Sequence, residues 1–284
     1  MMQARFRSVA GVQTRYLEAG SGRPLVLLHG VGMPAEIWIN NIDSLAREFH
    51  VYAPDLLGCG FTSIGGGYGE SYHLATLNHL SSFIQELQME TVGVVGSSLG
   101  ALFATLLHLR HPGQISRLVL VSSGSIFSDD QGLRATYDAA WSNGREAISD
   151  PTVDKCRTRM SAVLGSDVTI PETLIRSQMQ AYSRPDALSL FDERMRLLMD
   201  LPAWRDWRVL DKLEQITAGT LAVFGERDPR ANLPTAKLEY VRIPNCKMHV
   251  FEGARHYPNL EQPDRFNQLV LDFLCQGTGH STCP

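Results

Sequence analysis

The pentapeptide Gly96-Ser97-Ser98-Leu99-Gly100 has the form G-x-S-x-G. A serine hydroxyl is a poor nucleophile near neutral pH, so it needs a base within reach, and the base needs a group that orients it. Two later segments can supply these. Gly225-Glu226-Arg227-Asp228 places a carboxylate just after an apolar run, and Gly253-Ala254-Arg255-His256 places an imidazole just after another. Ser98, His256 and Asp228 are therefore the candidate triad for acyl-transfer chemistry, with serine as nucleophile, histidine as proton carrier and aspartate as orienting group. Asp55 is a rival carboxylate, but it sits in a turn where a structural role is expected. Asp129 and Asp130 follow their strand a little late to reach the histidine. Among the nine histidines only His256 has this setting. His29 is expected to give a supporting hydrogen bond, and His73, His79, His108 and His111 read as helix-face or helix-end residues.

The tetrahedral intermediate of such a reaction carries an oxyanion that needs fixed donors. The first apolar run ends in Leu28-His29-Gly30-Val31-Gly32, a flexible loop whose backbone could lie beside Ser98. The N–H groups of Val31 and Leu99 are the candidate oxyanion hole. Losing one such donor typically lowers the rate about 100- to 1,000-fold.

Positioning these groups requires strands that end at one edge. Short apolar runs bounded by turn residues occur at Leu25 to Leu28, Val51 to Ala53, Val92 to Val95, Leu118 to Val121, Thr220 to Phe224 and Lys247 to Phe251. Runs of this kind suit strands buried on both faces. Helix-length segments separate them, at Ile37 to Phe49, Ser71 to Leu87, Leu99 to Arg110 and Pro263 to Leu274. The fold class expected is α/β, with a mostly parallel central sheet flanked by helices. Val92 to Val95 runs directly into the serine motif and a helix runs out of it, which is the setting of a nucleophile elbow. Between Ser125 and Arg208 strand signals cease, and the stretch reads as amphipathic helices. Residues 125–208 are expected to form an inserted helical lid on a core domain made of 1–124 and 209–284. The polar tail from Gln276 to Pro284 is expected to be mobile.

Composition narrows the partners. A formal net charge of -4 without a basic stripe argues against nucleic acid. No apolar stretch approaches the ~20 residues of a membrane span, and no secretory signal is visible. Five scattered cysteines suggest neither a disulfide framework nor a metal motif. The expected setting is a cytoplasmic enzyme with a small-molecule substrate, no cofactor and no metal, with homo-oligomer formation left open.

The chain resembles the α/β-hydrolase superfamily over nearly its whole length. The likeness rests on the elbow, the His29-Gly30 turn, the segment Asp55-Leu56-Leu57-Gly58-Cys59-Gly60, and His256 followed by Glu261, Pro263 and Phe266. Within that superfamily it is similar to the meta-cleavage-product hydrolases, which break carbon–carbon bonds in ring-opened aromatic compounds. Three segments carry this: His29-Gly30-Val31-Gly32 leading to Trp38-Ile39-Asn40, the stretch Gln180-Ala181-Tyr182-Ser183-Arg184-Pro185, and the final helix Arg265 to Leu274. The resemblance implies that Asn40 lines the site and that Arg184 holds the substrate's carboxylate; Tyr257, also a candidate substrate-binding residue, stands where the group commonly has tryptophan after the histidine. Arg184 reads equally as a solvated charge. Ser97 replaces a common asparagine, Gly32-Met33-Pro34 replaces glycine-proline-glycine, and Arg255 replaces glycine. Hydrolysis of a C–C bond in a vinylogous diketone ranks ahead of cleavage of a small ester or lactone. A small-molecule receptor built on the same fold is the reading from another class.

Overall fold

The computed structural model describes residues 1–276, so the tail expected to be mobile lies, apart from Gln276, outside the described residues. The chain opens with two strands that no apolar run signals, β1 (Gln3–Val9) and β2 (Val12–Ala19). They form an antiparallel hairpin that turns at Ala10 and Gly11, both with positive φ, as a tight two-residue hairpin turn requires. The short apolar runs then become β3 (Pro24–Leu28), β4 (His50–Pro54), β5 (Val92–Ser97), β6 (Ile115–Val121), β7 (Gly219–Gly225) and β8 (Cys246–Phe251). The sheet order is β1-β2-β4-β3-β5-β6-β7-β8, and every pairing from β4 onward is parallel. Every residue of β5 is buried, which is why its sequence, Val-Gly-Val-Val-Gly-Ser, shows no polar alternation. Its register, with Leu28 opposite Gly96 and Ser97 opposite Val121, brings the ends of β3, β5 and β6 to one edge. Loops after parallel strands collect there, and they carry the candidate site.

The helix expected over Ile37 to Phe49 is instead a 3-10 turn, Ala35–Trp38, followed by the short α1 (Ile42–Leu45). The interruption follows from Asn41. Its side chain is fully buried and donates to the Asn259 carbonyl at 3.0 Å and to Asn267 Oδ1 at 2.8 Å, a competing use of an asparagine that regular helix does not offer. Next come α2 (Tyr72–Glu86), capped by Ser71, and α3 (Leu99–Arg110), which packs against β3, β5 and β6 and is buried along most of its length. Between β6 and β7 the described residues contain no strand. They form α4 (Gly124–Phe127), α5 (Asp130–Ser149), α6 (Val153–Ser161), α7 (Glu172–Tyr182) and α8 (Ala187–Met199), then two 3-10 stretches. Asp129 caps α5 through the Gly132 N–H, and Asp130 pairs with Arg208, so both rival carboxylates are engaged away from His256. The chain closes with α9 (Leu233–Glu239), α10 (Pro258–Glu261) and α11 (Pro263–Cys275).

Three of the buried histidines make the fold sensitive to acid. His29 is fully buried, His73 lies between Trp204 and Trp207, and His79 hydrogen-bonds Thr14 Oγ1 at 2.7 Å. Burial holds them down to about 4, 3 and 4 respectively. In the unfolded chain they titrate near their ordinary value of about 6.5. Between those limits the unfolded state binds protons that the folded state does not, so stability falls with pH by up to about 1.4 kcal/mol per pH unit for each histidine. Asp55, which burial raises to about 6 against the pull of Arg15, acts in the opposite sense and offsets one of the three. Thermal unfolding midpoints should therefore be level above pH 7 and drop steadily from about pH 6.5 to 4. A midpoint unchanged over that range would show that these histidines are not neutral in the fold.

Candidate active site

Ser98 is the residue between β5 and α3, with φ 53° and ψ -115°, a conformation that costs a non-glycine residue on the order of 1–3 kcal/mol. The structure holds it there from both sides. The Ser98 N–H donates to the Val121 carbonyl at 2.8 Å, and Gly100 lets α3 lie directly against the end of β3, where a Cβ would overlap the Leu28 carbonyl. Ser98 lines a cavity together with His256, Tyr257, Val31, Leu99, Tyr137 and Val163.

His256 and Asp228 come from the loops after β8 and β7. The imidazole Nδ1 lies 2.8 Å and 3.0 Å from the two Asp228 oxygens, and the carboxylate is fully buried. Asp228 Oδ1 also accepts from the backbone N–H groups of Arg230 at 2.8 Å and Ala231 at 3.1 Å. Asp228 thus meets three donors, and of the two ring nitrogens it is Nδ1 that faces the carboxylate, leaving Nε2 on the side away from it. Asp55 is instead bound by Arg15, the Ala35 N–H and the Phe61 N–H, which keeps it in the turn after β4.

The candidate oxyanion donors meet the same cavity. Leu99 opens α3, so its N–H has no partner within the helix. Val31 follows Gly30, at which a Cβ would stand 3.2 Å from Ser98 Cβ and 3.3 Å from Tyr257 Oη. His29 donates from Nδ1 to the Gly30 carbonyl and accepts at Nε2 from the Leu56 N–H, both at 2.8 Å, so it braces this loop as the sequence suggests. Tyr182 donates to the Gly32 carbonyl at 2.7 Å and Arg159 Nη2 to the Val31 carbonyl at 3.1 Å, which ties the loop to α7 and α6.

Of the three residues expected to touch substrate, Tyr257 lines the cavity, with its ring edge-on to His256 at 4.9 Å. Asn40 is exposed and outside it, because its neighbour Asn41 takes the inward position. Arg184 also lies outside. It pairs with Asp186, donates to the carbonyls of Gly60 at 2.8 Å and Thr62 at 3.3 Å, and lines a second cavity together with Cys59 and Arg194. Two cavity residues carry charge that sequence reasoning missed, Arg159 and Arg230. Arg230 stands two residues beyond Asp228, a proximity that could have been noticed. Arg159 sits in a strongly polar helix, and nothing in its spacing marks it. Arg255, which departs from the usual glycine, has a plain use: its guanidinium donates to the carbonyls of Ser161, Ala162 and Leu164, and Glu261 accepts its backbone N–H.

A serine on a strained strand-to-helix turn lines one cavity with an imidazole backed by a buried carboxylate, at the end of a parallel sheet, an arrangement that fits a hydrolase. Residues 25–269 match the model of the alpha/beta hydrolase family, and the chain belongs to that family. Among its relatives, a 2-hydroxy-6-oxo-2,4-heptadienoate hydrolase from Pseudomonas putida is 30% identical over 274 residues, covering 93% of each chain. A 2-hydroxymuconate semialdehyde hydrolase from a Pseudomonas species is 28% identical over 280 residues, covering 94% of this chain and 92% of its own. A solved meta-cleavage product hydrolase, CumD, superposes with a TM-score of 0.79 at 26% identity, covering 96% of this chain and 98% of its own. Among the described residues no helix is long and apolar enough to cross a membrane.

Proposed function

We propose that this chain hydrolyses a C–C bond next to a ketone in a ring-opened aromatic acid, using Ser98, His256 and Asp228. The observation that carries the reading is the single cavity onto which Ser98 and His256 open while Asp228 is buried behind the imidazole. The choice of a C–C bond is supported by the names of the full-length relatives, which act on dienoates and a muconate semialdehyde. In this mechanism neutral His256 takes a proton at Nε2 as the ketone carbon is attacked, by Ser98 itself or by a water that it positions. The N–H groups of Val31 and Leu99 hold the oxyanion. The 2-hydroxydienoate first passes to its 2,6-dioxo tautomer, losing the enol proton and gaining one at C5, so that collapse expels C5 as a dienolate delocalised onto the C2 carbonyl; His256 returns its proton to that fragment, and where Ser98 has attacked, water then hydrolyses the acyl-serine. Residues 125–208 close over the substrate as a lid, and Arg184 tethers that lid to the loop after β4.

The test compares 2-hydroxy-6-oxohepta-2,4-dienoate with p-nitrophenyl acetate and butyrate on the purified protein. The dienone should be consumed with a kcat of about 1 to 1,000 per second and a kcat/KM at least about tenfold above either ester. Preference for the esters would make the chain a carboxylesterase. Tight binding of the dienone with negligible turnover would favour the receptor reading.

A further inference from the structure

The candidate cavity contains an arginine that has no ion-pair partner among the described residues. Arg159, on α6, is 3% exposed and lines the same cavity as Ser98 and His256. Its Nη2 donates to the Val31 carbonyl, but Nε and Nη1 have no hydrogen-bond partner among the described residues. The group packs against the rings of Tyr182 and Phe191, with centroids at 5.3 Å and 5.9 Å. Aromatic faces attract a cation but cannot accept its N–H groups in line, so much of the desolvation cost of a buried guanidinium is left uncompensated. Room has been made for it at a further cost. Gly144 lies inside α5, where glycine is about 1 kcal/mol worse than alanine, and a Cβ there would overlap Phe191 Cζ, the ring that packs on Arg159, and stand 2.9 Å from Arg159 Nη1. Arg230 adds a second cation on the Asp228 side, and its Nη1 is likewise buried without a partner among the described residues. Burial first, then the nearby Arg159 and Arg255, hold Arg230 below its ordinary range.

We infer that Arg159 is the residue that receives the substrate's carboxylate, and that the cavity selects carbonyl compounds bearing an acid group. The inference rests on the hydrolase reading of the same cavity. A carboxylate can accept from two guanidinium nitrogens at once, and the second N–H of Nη2 beside an unpartnered neighbouring nitrogen offers that edge. Arg184 is excluded from this role by its place, because its nitrogens are used on Asp186, Gly60 and Thr62. Arg159 also holds the Val31 carbonyl, so the acid group and the oxyanion loop meet on one side chain.

The experiment uses two esters that differ only at the far end: mono-p-nitrophenyl glutarate, which carries a carboxylate, and p-nitrophenyl pentanoate, which carries a methyl. The readout is the ratio of their kcat/KM values in the parent and in Arg159→Met, Arg159→Lys and Arg184→Met. Arg159→Met should lower the acid-to-neutral ratio by about 30-fold or more, chiefly through KM for the acid, Arg159→Lys should restore part of it, and Arg184→Met should leave it within about threefold. Titration calorimetry with 2,4-hexadienoate and its amide gives the same comparison without turnover and applies to any variant that retains the parent's circular dichroism. Equal losses on both esters would mean that Arg159 only braces Val31 and would overturn the assignment, as would a ratio that moves with Arg184 instead. If the dienone is not cleaved by the parent but the ratio falls as stated, the C–C reading fails and the assignment stands. If the dienone is cleaved and the ratio does not move, only the assignment fails.

Discussion

Ser98→Ala should lower kcat/KM by on the order of 10⁴- to 10⁶-fold on every substrate while leaving the thermal midpoint within about 2 °C of the parent. The loss is large because the remaining parts cannot substitute for the oxygen. His256 would have no hydroxyl to deprotonate or to position a water against, although its hydrogen bond to Asp228 and the donors of Val31 and Leu99 would persist. The fold should be unaffected, since one oxygen at the cavity wall is removed and alanine meets the same positive φ as serine. The measurement is turnover of the dienone and of p-nitrophenyl butyrate by protein purified away from any host esterase, beside a melting curve. Retention of more than about one part in a hundred of the activity would remove Ser98 from the chemical step.

Gly100→Ala should be among the most damaging single methyls in the described residues. The added Cβ would run into the carbonyl carbon and oxygen of Leu28 and the carbonyl oxygen of His29, all of them backbone atoms of β3 and the loop after it. No rotamer relieves such an overlap. Relief requires α3 to lift from the sheet or β3 to shift against β5, and the pairing of Leu28 with Gly96 resists the second. A cost above about 4 kcal/mol is expected, which for a chain of this size corresponds to a fall in melting temperature of roughly 10 °C or more. The protein that does fold should also be slow, because Ser98 would move relative to Val31. Gly113→Ala is the matched control: no described atom lies within 4 Å of its Cβ position, and its effect should stay within about 0.5 kcal/mol. Equal melting temperatures for the two variants would contradict the close approach of α3 to β3.

What the sequence made legible is the part where local chemistry and local structure coincide. The runs around Val92 and Leu221 are apolar because both faces of a central parallel strand are covered, so they announce strands without reference to distant residues. The glycines of the elbow announce the turn for the same reason. The hairpin β1–β2 was not legible, because β1 is an edge strand exposed along nearly its whole length and its sequence Gln-Ala-Arg-Phe-Arg-Ser-Val carries edge charges rather than a buried run. The break at Asn41 depends on Asn259 and Asn267, more than two hundred residues away. Arg159 was hidden by the same kind of dependence. In α6 it reads as one more charge among lysine, aspartate and arginines, and only the approach of Tyr182, Phe191 and the loop after β3 turns it inward. Arg184 was favoured by its surrounding pattern, but a pattern records where a segment lies and not which of its charged groups faces the cavity.

The clamp made by Arg255 has a consequence for how such a chain can change. Its guanidinium grips three main-chain carbonyls, those of Ser161, Ala162 and Leu164, and the His256 N–H takes a fourth from Val163. Carbonyls look the same whatever side chains stand beside them, so this socket is blind to the sequence it holds. Side chains at positions 161–164 could therefore change without removing the acceptors that Arg255 and the His256 N–H use. On the proposed function, reactivity would belong to the loops of the sheet and discrimination to the helices joined to them, with Arg159, just upstream of the gripped carbonyls, in the second part.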